Sequence, residues 1–139
     1  TSPCDLYPGV EEGLRRLEAA QIPLAVATGK SRRGLDRMLA MLGWQQRFVI
    51  TRCADETASK PNPLMLRQIL AAVGKSPACA VMVGDTEYDL AMAAAINMPS
   101  LGLEYGAHEA ARLQAHKPAL ITDQFPEVVN WILARAAGS

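Results

Sequence analysis

The feature that most constrains this chain is the alternation of short apolar runs with helical patterns along its length. Ile22-Pro-Leu-Ala-Val-Ala27, Phe48-Val-Ile50, Ala78-Cys-Ala-Val-Met-Val83, Ser100-Leu-Gly-Leu103 and Ala119-Leu-Ile121 are short runs bounded by turn residues, and they read as strands. Between them apolar residues recur at helical spacing. Val10, Leu14 and Leu17 mark a helix over roughly 9–20, and Leu35, Met38, Leu39 and Leu42 mark one that Ser31 caps and Gly43 stops. Pro61 or Pro63 opens a third, through Leu64, Leu66, Ile69 and Leu70 to about Gly74. Leu90 to Ile96 form a fourth, which Asn97 can end because Asn tolerates the left-handed conformation. Helices over 107–115 and 126–136 complete the pattern. Strands alternating with helices predict an α/β fold, a Rossmann-like doubly wound parallel sheet covered on both faces. Such sheets bind ligands at the carboxyl ends of their strands, so Thr28-Gly29 and Gly84-Asp85, each directly after a strand, are the places to look.

Bulk properties narrow the function classes. The 139 residues suffice for one domain with a core, and 14 Lys plus Arg balance 14 Asp plus Glu. That neutrality argues against nucleic acid or a membrane surface as partner, but leaves room for a small anion at a locally positive site. No apolar run approaches the ~18 residues of a membrane span, and no signal peptide opens the chain. Cys4, Cys53 and Cys79 are odd in number and show no C-x-x-C spacing, which fits free thiols in a reducing cytoplasm. A start at Thr1 rather than Met suggests a processed or truncated chain.

Three segments carry candidate chemistry. Gly29-Lys30-Ser31 looks like the end of a nucleotide-binding P-loop, but Leu24 stands where that motif needs its first Gly, so the P-loop is rejected. Gly84-Asp-Thr-Glu-Tyr-Asp89 puts Asp85 and Asp89 one helical turn apart, with Glu87 between. Asp85 alone is explained equally well as a helix cap. The cluster would repel itself without a nearby cation, and hard oxygen ligands of this kind suit Mg²⁺, which takes one or two carboxylates plus phosphate and water. Thr28-Gly29 offers a hydroxyl and exposed N–H groups to a phosphate oxygen, or simply caps a helix. Lys60, in the polar loop before Pro61-Asn62-Pro63, is either a solvated surface lysine or a cation held on a rigid turn.

The order of these segments resembles the haloacid dehalogenase superfamily, and phosphoglycolate-phosphatase-like members above all. The strand ending in Thr is AVATGKS, the Lys before a helix is SKPNP, and the acidic motif after an apolar strand is VMVGDTEYD, continuing as LAMAAA. LYPGVEEGLRRL is similar to the stretch that follows the family's helical cap. The likeness covers almost all of residues 1–139. It implies a Mg²⁺-dependent phosphate monoester hydrolase working through an aspartyl-phosphate, with a small phosphorylated metabolite as substrate. Thr28, Lys60 and Asp85 would be the catalytic groups. Thr28, Gly29 and Lys60 would hold phosphate, while Asp85 and Asp89 would serve the metal. The family's first motif, D-x-D-x-[TV] after a strand, has no counterpart: Asp5 is the sole carboxylate before Glu11 and follows no apolar run. The resemblance therefore makes this a partial core domain without nucleophile, first strand or cap, and the chain alone should be inactive. Relatives also usually carry Gly near Asn97.

In the family the nucleophile strand lies between the strand ending at Thr28 and the one ending at Gly84. Those two strands could close up and pair directly, a second copy could donate a strand, or a separate N-terminal segment could fill the place; filling by the separate segment is expected over the second copy. The alternative is a non-catalytic binding or oligomerisation module. A flavodoxin-like nucleotide-binding regulator fits the alternation but not Lys60 and the Asp pair together.

Overall fold

A computed structural model of the chain describes residues 9–104 and 110–138. Helix α1 (Val10–Ala19) leads to β1 (Ala25–Thr28), α2 (Arg32–Leu42), β2 (Ile50–Cys53) and α3 (Leu64–Val73). Strand β3 (Met82–Gly84), α4 (Glu87–Ala95), β4 (Ser100–Leu103), α5 (Ala110–Gln114), β5 (Leu120–Thr122) and α6 (Phe125–Ala137) follow. The fold is α/β, and every recorded strand pair is parallel.

Local chemistry sets most boundaries. The Ser31 hydroxyl accepts the Gly34 N–H at 3.0 Å and opens α2. Gly43 and Gly74, with φ of 72° and 69°, end α2 and α3 in the left-handed conformation. Asn97 (φ 56°) turns the chain just after α4. Gly13 of α1 is a contact point: a Cβ there would stand 2.5 Å from the Phe125 ring and 2.8 Å from Val129, so its absence lets α6 close on α1.

Two strands shift from their expected places. The run 48–50 only approaches the sheet: the Val49 N–H reaches the Leu24 carbonyl, but the strand proper is Ile50–Cys53, in register with Ala25–Thr28. Its polar Thr51-Arg52 centre is stabilised from the side, where Arg32 donates to the Thr51 hydroxyl at 2.7 Å and its carbonyl at 3.0 Å. The run 78–83 is a strand only at its end. Pro77–Cys79 form a 3₁₀ turn, closed by hydrogen bonds from Cys79 and Ala80 back to Ser76 and Pro77, before Met82–Gly84 join the sheet. Of the expected helix 107–115, residues 107–109 lie outside the described residues, as do Cys4 and Asp5.

The strands form two sheets, β1-β2 and β3-β4-β5. Strands β1 and β3 are not hydrogen-bonded to each other, so direct closure of those two strands does not occur. Apolar packing holds the halves together. Leu66 and Leu70 of α3 cluster with Met82, Met92, Ala93 and Ile96, and Ala27 of β1 packs against that group. On the other face Ile22 and Leu24 pack with Val81 and Val83 against Leu101, Phe125, Val128 and Val129. Among the described residues no helix is long and apolar enough to cross a membrane.

Candidate active site

Between the two sheets lies a cleft of about 310 Å³, lined by Ala27, Lys60, Met82, Val83, Gly84, Asp85, Asp89 and Leu103. It opens at the carboxyl ends of β1 and β3, where a parallel α/β sheet places its ligands.

Asp89 is its most tightly held side chain. It sits in the first turn of α4 and is 4% exposed. A Cβ on Gly84 would stand 2.6 Å from Asp89 Oδ2, so the bare strand end is what admits the carboxylate. Thr86 caps α4: its hydroxyl accepts the Asp89 N–H at 3.3 Å and donates to Asp89 Oδ2 at 3.0 Å, while its own N–H reaches the same oxygen at 3.3 Å. The other oxygen, Oδ1, accepts from the Lys60 ammonium in an ion pair across the cleft. The Lys60 side chain is 19% exposed, and the Lys60–Pro61 peptide bond is cis.

Asp85 follows β3 directly and lines the same cleft. The cap of α4 is Thr86, so helix capping does not account for Asp85. Asp85 and Asp89 thus have different surroundings: Asp89 is committed to Thr86 and Lys60, whereas Asp85 faces the cleft. One cleft-facing carboxylate fits the modest protein share of a Mg²⁺ coordination shell. The described residues contain no group of three metal-ligating side chains.

Thr28 and Gly29 are not among the lining residues, although Ala27, immediately before them, is. The Thr28 hydroxyl accepts the Lys30 N–H at 3.1 Å, which bends the chain at the strand end. A side chain at Gly29 would meet no protein atom within 4 Å, so nothing in the protein demands glycine there. The structure therefore brings Lys60, Asp85 and Asp89 onto one cleft, with the Thr28-Gly29 turn beyond its β1 wall.

That turn is braced from below. Arg32 grips the Glu56 carboxylate with two nitrogens at 2.7 and 3.1 Å, and its backbone N–H is met by Asp55 at 3.1 Å. The Ala54 N–H reaches the Lys30 carbonyl at 3.3 Å. The hydrogen bond from Arg32 holds the Glu56 carboxyl below the usual carboxylate range. The same bond raises Arg32 above its ordinary value. Burial pushes the nearby Cys53 thiol up. Asp55 thus occupies the N–H at the start of α2.

Sequence reasoning pointed to Gly84-Asp85 as a place to look but gave Gly84 no role of its own and missed Thr86. The signal was present: Thr86-Glu-Tyr-Asp89 is a capping-box pattern ahead of an apolar run.

The haloacid dehalogenase-like hydrolase family model matches residues 1–97. The chain belongs to this family. A "Probable phosphatase IndB" from Dickeya dadantii is 37% identical over 126 residues, which cover 90% of this chain and 55% of that protein. A phosphoglycolate phosphatase from Psychrobacter arcticus is 33% identical over 128 residues, 91% of this chain and 56% of that one. A crystal structure described as a "predicted phosphoglycolate phosphatase" from Haemophilus somnus superposes with a TM-score of 0.85 at 26% identity, covering 94% of this chain and 60% of that chain. The chain thus spans a little over half the length of the curated relatives it matches.

Proposed function

We propose that this chain is the metal- and phosphate-binding part of a Mg²⁺-dependent phosphate monoester hydrolase. The observation that carries the reading is a lysine ammonium and an uncommitted carboxylate on one cleft at the carboxyl ends of two parallel strands. Relatives named as phosphatases, one of them for phosphoglycolate, support a small phosphorylated metabolite as substrate.

Lys60 neutralises phosphoryl charge as the transition state forms, and its pairing with Asp89 fixes where that charge stands. Asp85 would hold Mg²⁺, directly or through water, and Asp89 would support the site through Lys60. The Thr28 hydroxyl, its acceptor side taken by Lys30, keeps its proton for a phosphoryl oxygen, and the Gly29 amide offers a second donor. When bound, Mg²⁺ screens the repulsion between an anionic nucleophile and an anionic phosphate.

Among the described residues only Asp85 and Asp89 bring carboxylates to the cleft, and both have other work. Thr28 has no adjacent base to activate it. The nucleophilic aspartate therefore comes from a segment that enters between β1 and β3, whose facing edges are free to pair with it. A separate N-terminal segment is favoured over a second copy, because the family's first motif lies on such a strand.

The test is hydrolysis of p-nitrophenyl phosphate by residues 1–139 alone and by a form carrying an aspartate-bearing N-terminal strand. Activity is expected only in the second, only with Mg²⁺, and lost in Asp85→Asn. Robust turnover by residues 1–139, or an active Asp85→Asn, overturns the assignment. The second reading is a non-catalytic binding or oligomerisation module. An inactive longer form would select it.

A further inference from the structure

Asp89 has two oxygens and two jobs, and the structure divides them cleanly. Oδ1 meets the Lys60 ammonium, and among the described residues Oδ2 meets Thr86 alone, from its hydroxyl at 3.0 Å and its N–H at 3.3 Å. Capping a helix requires only that the Thr86 oxygen accept an N–H, here that of Asp89 at 3.3 Å. The outward donation from that hydroxyl to Oδ2 is additional to capping. It locks the rotation of the carboxylate, because a carboxylate with one oxygen held by two donors has its second oxygen aimed in one direction. That direction is across the cleft, at Lys60. Gly84, whose Cβ would stand 2.6 Å from Oδ2, leaves the room this orientation needs.

We infer that Thr86 is a positioning residue for Lys60: its hydroxyl orients Asp89 so that the Lys60 ammonium is held at the cleft. The inference deepens the phosphatase reading and rests on it for the role of Lys60. The geometry it invokes is independent of any bound ligand. Thr86 does not touch the substrate; it acts through Asp89.

Helix capping and positioning can be separated by choice of variant. Glycine is nearly as good an N-cap as threonine but has no hydroxyl to donate. Serine keeps both functions. The readout is the rate at which an amine-acylating reagent labels Lys60 at fixed pH, measured by peptide mass spectrometry on residues 1–139, with exposed Lys75 and Lys117 as internal references. Thr86→Gly is expected to raise Lys60 labelling by roughly ten-fold or more, the scale on which losing one hydrogen bond to a charged group shifts a local equilibrium. Thr86→Ser should stay near the wild-type rate, and Lys75 and Lys117 should not change. Asp89→Asn serves as the positive control, freeing Lys60 directly. Wild-type labelling in Thr86→Gly alongside fast labelling in Asp89→Asn overturns the assignment and reduces Thr86 to a cap. Equal acceleration of all three lysines in Thr86→Gly also overturns it, since that reports general loosening. Neither result touches the phosphatase reading, which stands or falls on Mg²⁺-dependent turnover.

Discussion

Replacing Asp89 by Asn removes one charge and almost no volume, and the amide oxygen can still accept from the Thr86 N–H. What is lost is the compensation of Lys60. The partners' side chains are 5% and 19% exposed, which places the pair between two well-characterised limits. Exposed ion pairs contribute ~0–1 kcal/mol, whereas stripping one partner from a fully buried pair costs ~3–5 kcal/mol. The ammonium can turn partly toward the open cleft, so a loss of about 2 kcal/mol is expected. Urea unfolding at neutral pH measures it, with an unchanged m-value showing that the native and unfolded states expose the same surfaces. The decisive form is a double-mutant cycle with Lys60→Met. Once the ammonium is gone, Asp89→Asn should cost markedly less, for a coupling of about 1–2 kcal/mol. Single effects that add within ~0.5 kcal/mol would mean the two side chains stand together without interacting, and the electrostatic account of the cleft would fall.

Gly84→Ala should destabilise the fold by ~1–3 kcal/mol, since the new methyl meets Asp89 at a strand end and a helix start that both have fixed backbones; thermal unfolding reads it, and an unchanged Tm would refute the close approach. Gly29→Ala should leave stability within ~0.5 kcal/mol, because no protein atom lies within 4 Å, yet weaken orthophosphate binding followed by NMR shifts. Glu11 accepts from Arg47 at 2.7 Å, which holds its carboxyl below the ordinary 4.5. A depressed folded-state value means stability that is present above the unfolded pKa and lost as pH falls through the folded one. Glu11→Gln should therefore cost ~0.5 kcal/mol at neutral pH, a figure reduced for solvent screening, and the two proteins should converge in acid-titrated urea melts.

How much of this was legible in the sequence differs between fold and site. The alternation of apolar runs gave the α/β class, because a buried parallel strand and an amphipathic helix leave different periods in the chain. Ser31, Gly43, Gly74 and Asn97 marked boundaries correctly, since each acts through its own backbone or nearest neighbours. The shifted strands were illegible for the opposite reason. Thr51-Arg52 reads as loop until the partner strand and the Arg32 guanidinium on Thr51 are known, and Ala78-Cys-Ala reads as strand until Pro77 closes a turn on it. Asp85 and Asp89 look alike in sequence, yet one faces the cleft and the other is consumed by Thr86 and Lys60. Which carboxylate is free depends on a lysine contributed by a different loop, and no local pattern encodes that.

The placing of Lys60 opposite Asp89 follows from helix α3. Lys60 stands just before that helix, and α3 packs against β1 and β2 in one sheet while Leu66 and Leu70 cluster with Met82, Met92 and Ala93 of the other half. One helix therefore bridges the divided sheet and sets the distance across which the ion pair forms. Burial of Met65, Leu66 and Leu70, at ~1.5–3 kcal/mol for each large side chain, far exceeds what the ion pair contributes, so packing positions the charges rather than the reverse. The ion pair thus serves to orient Lys60 rather than to hold the halves together.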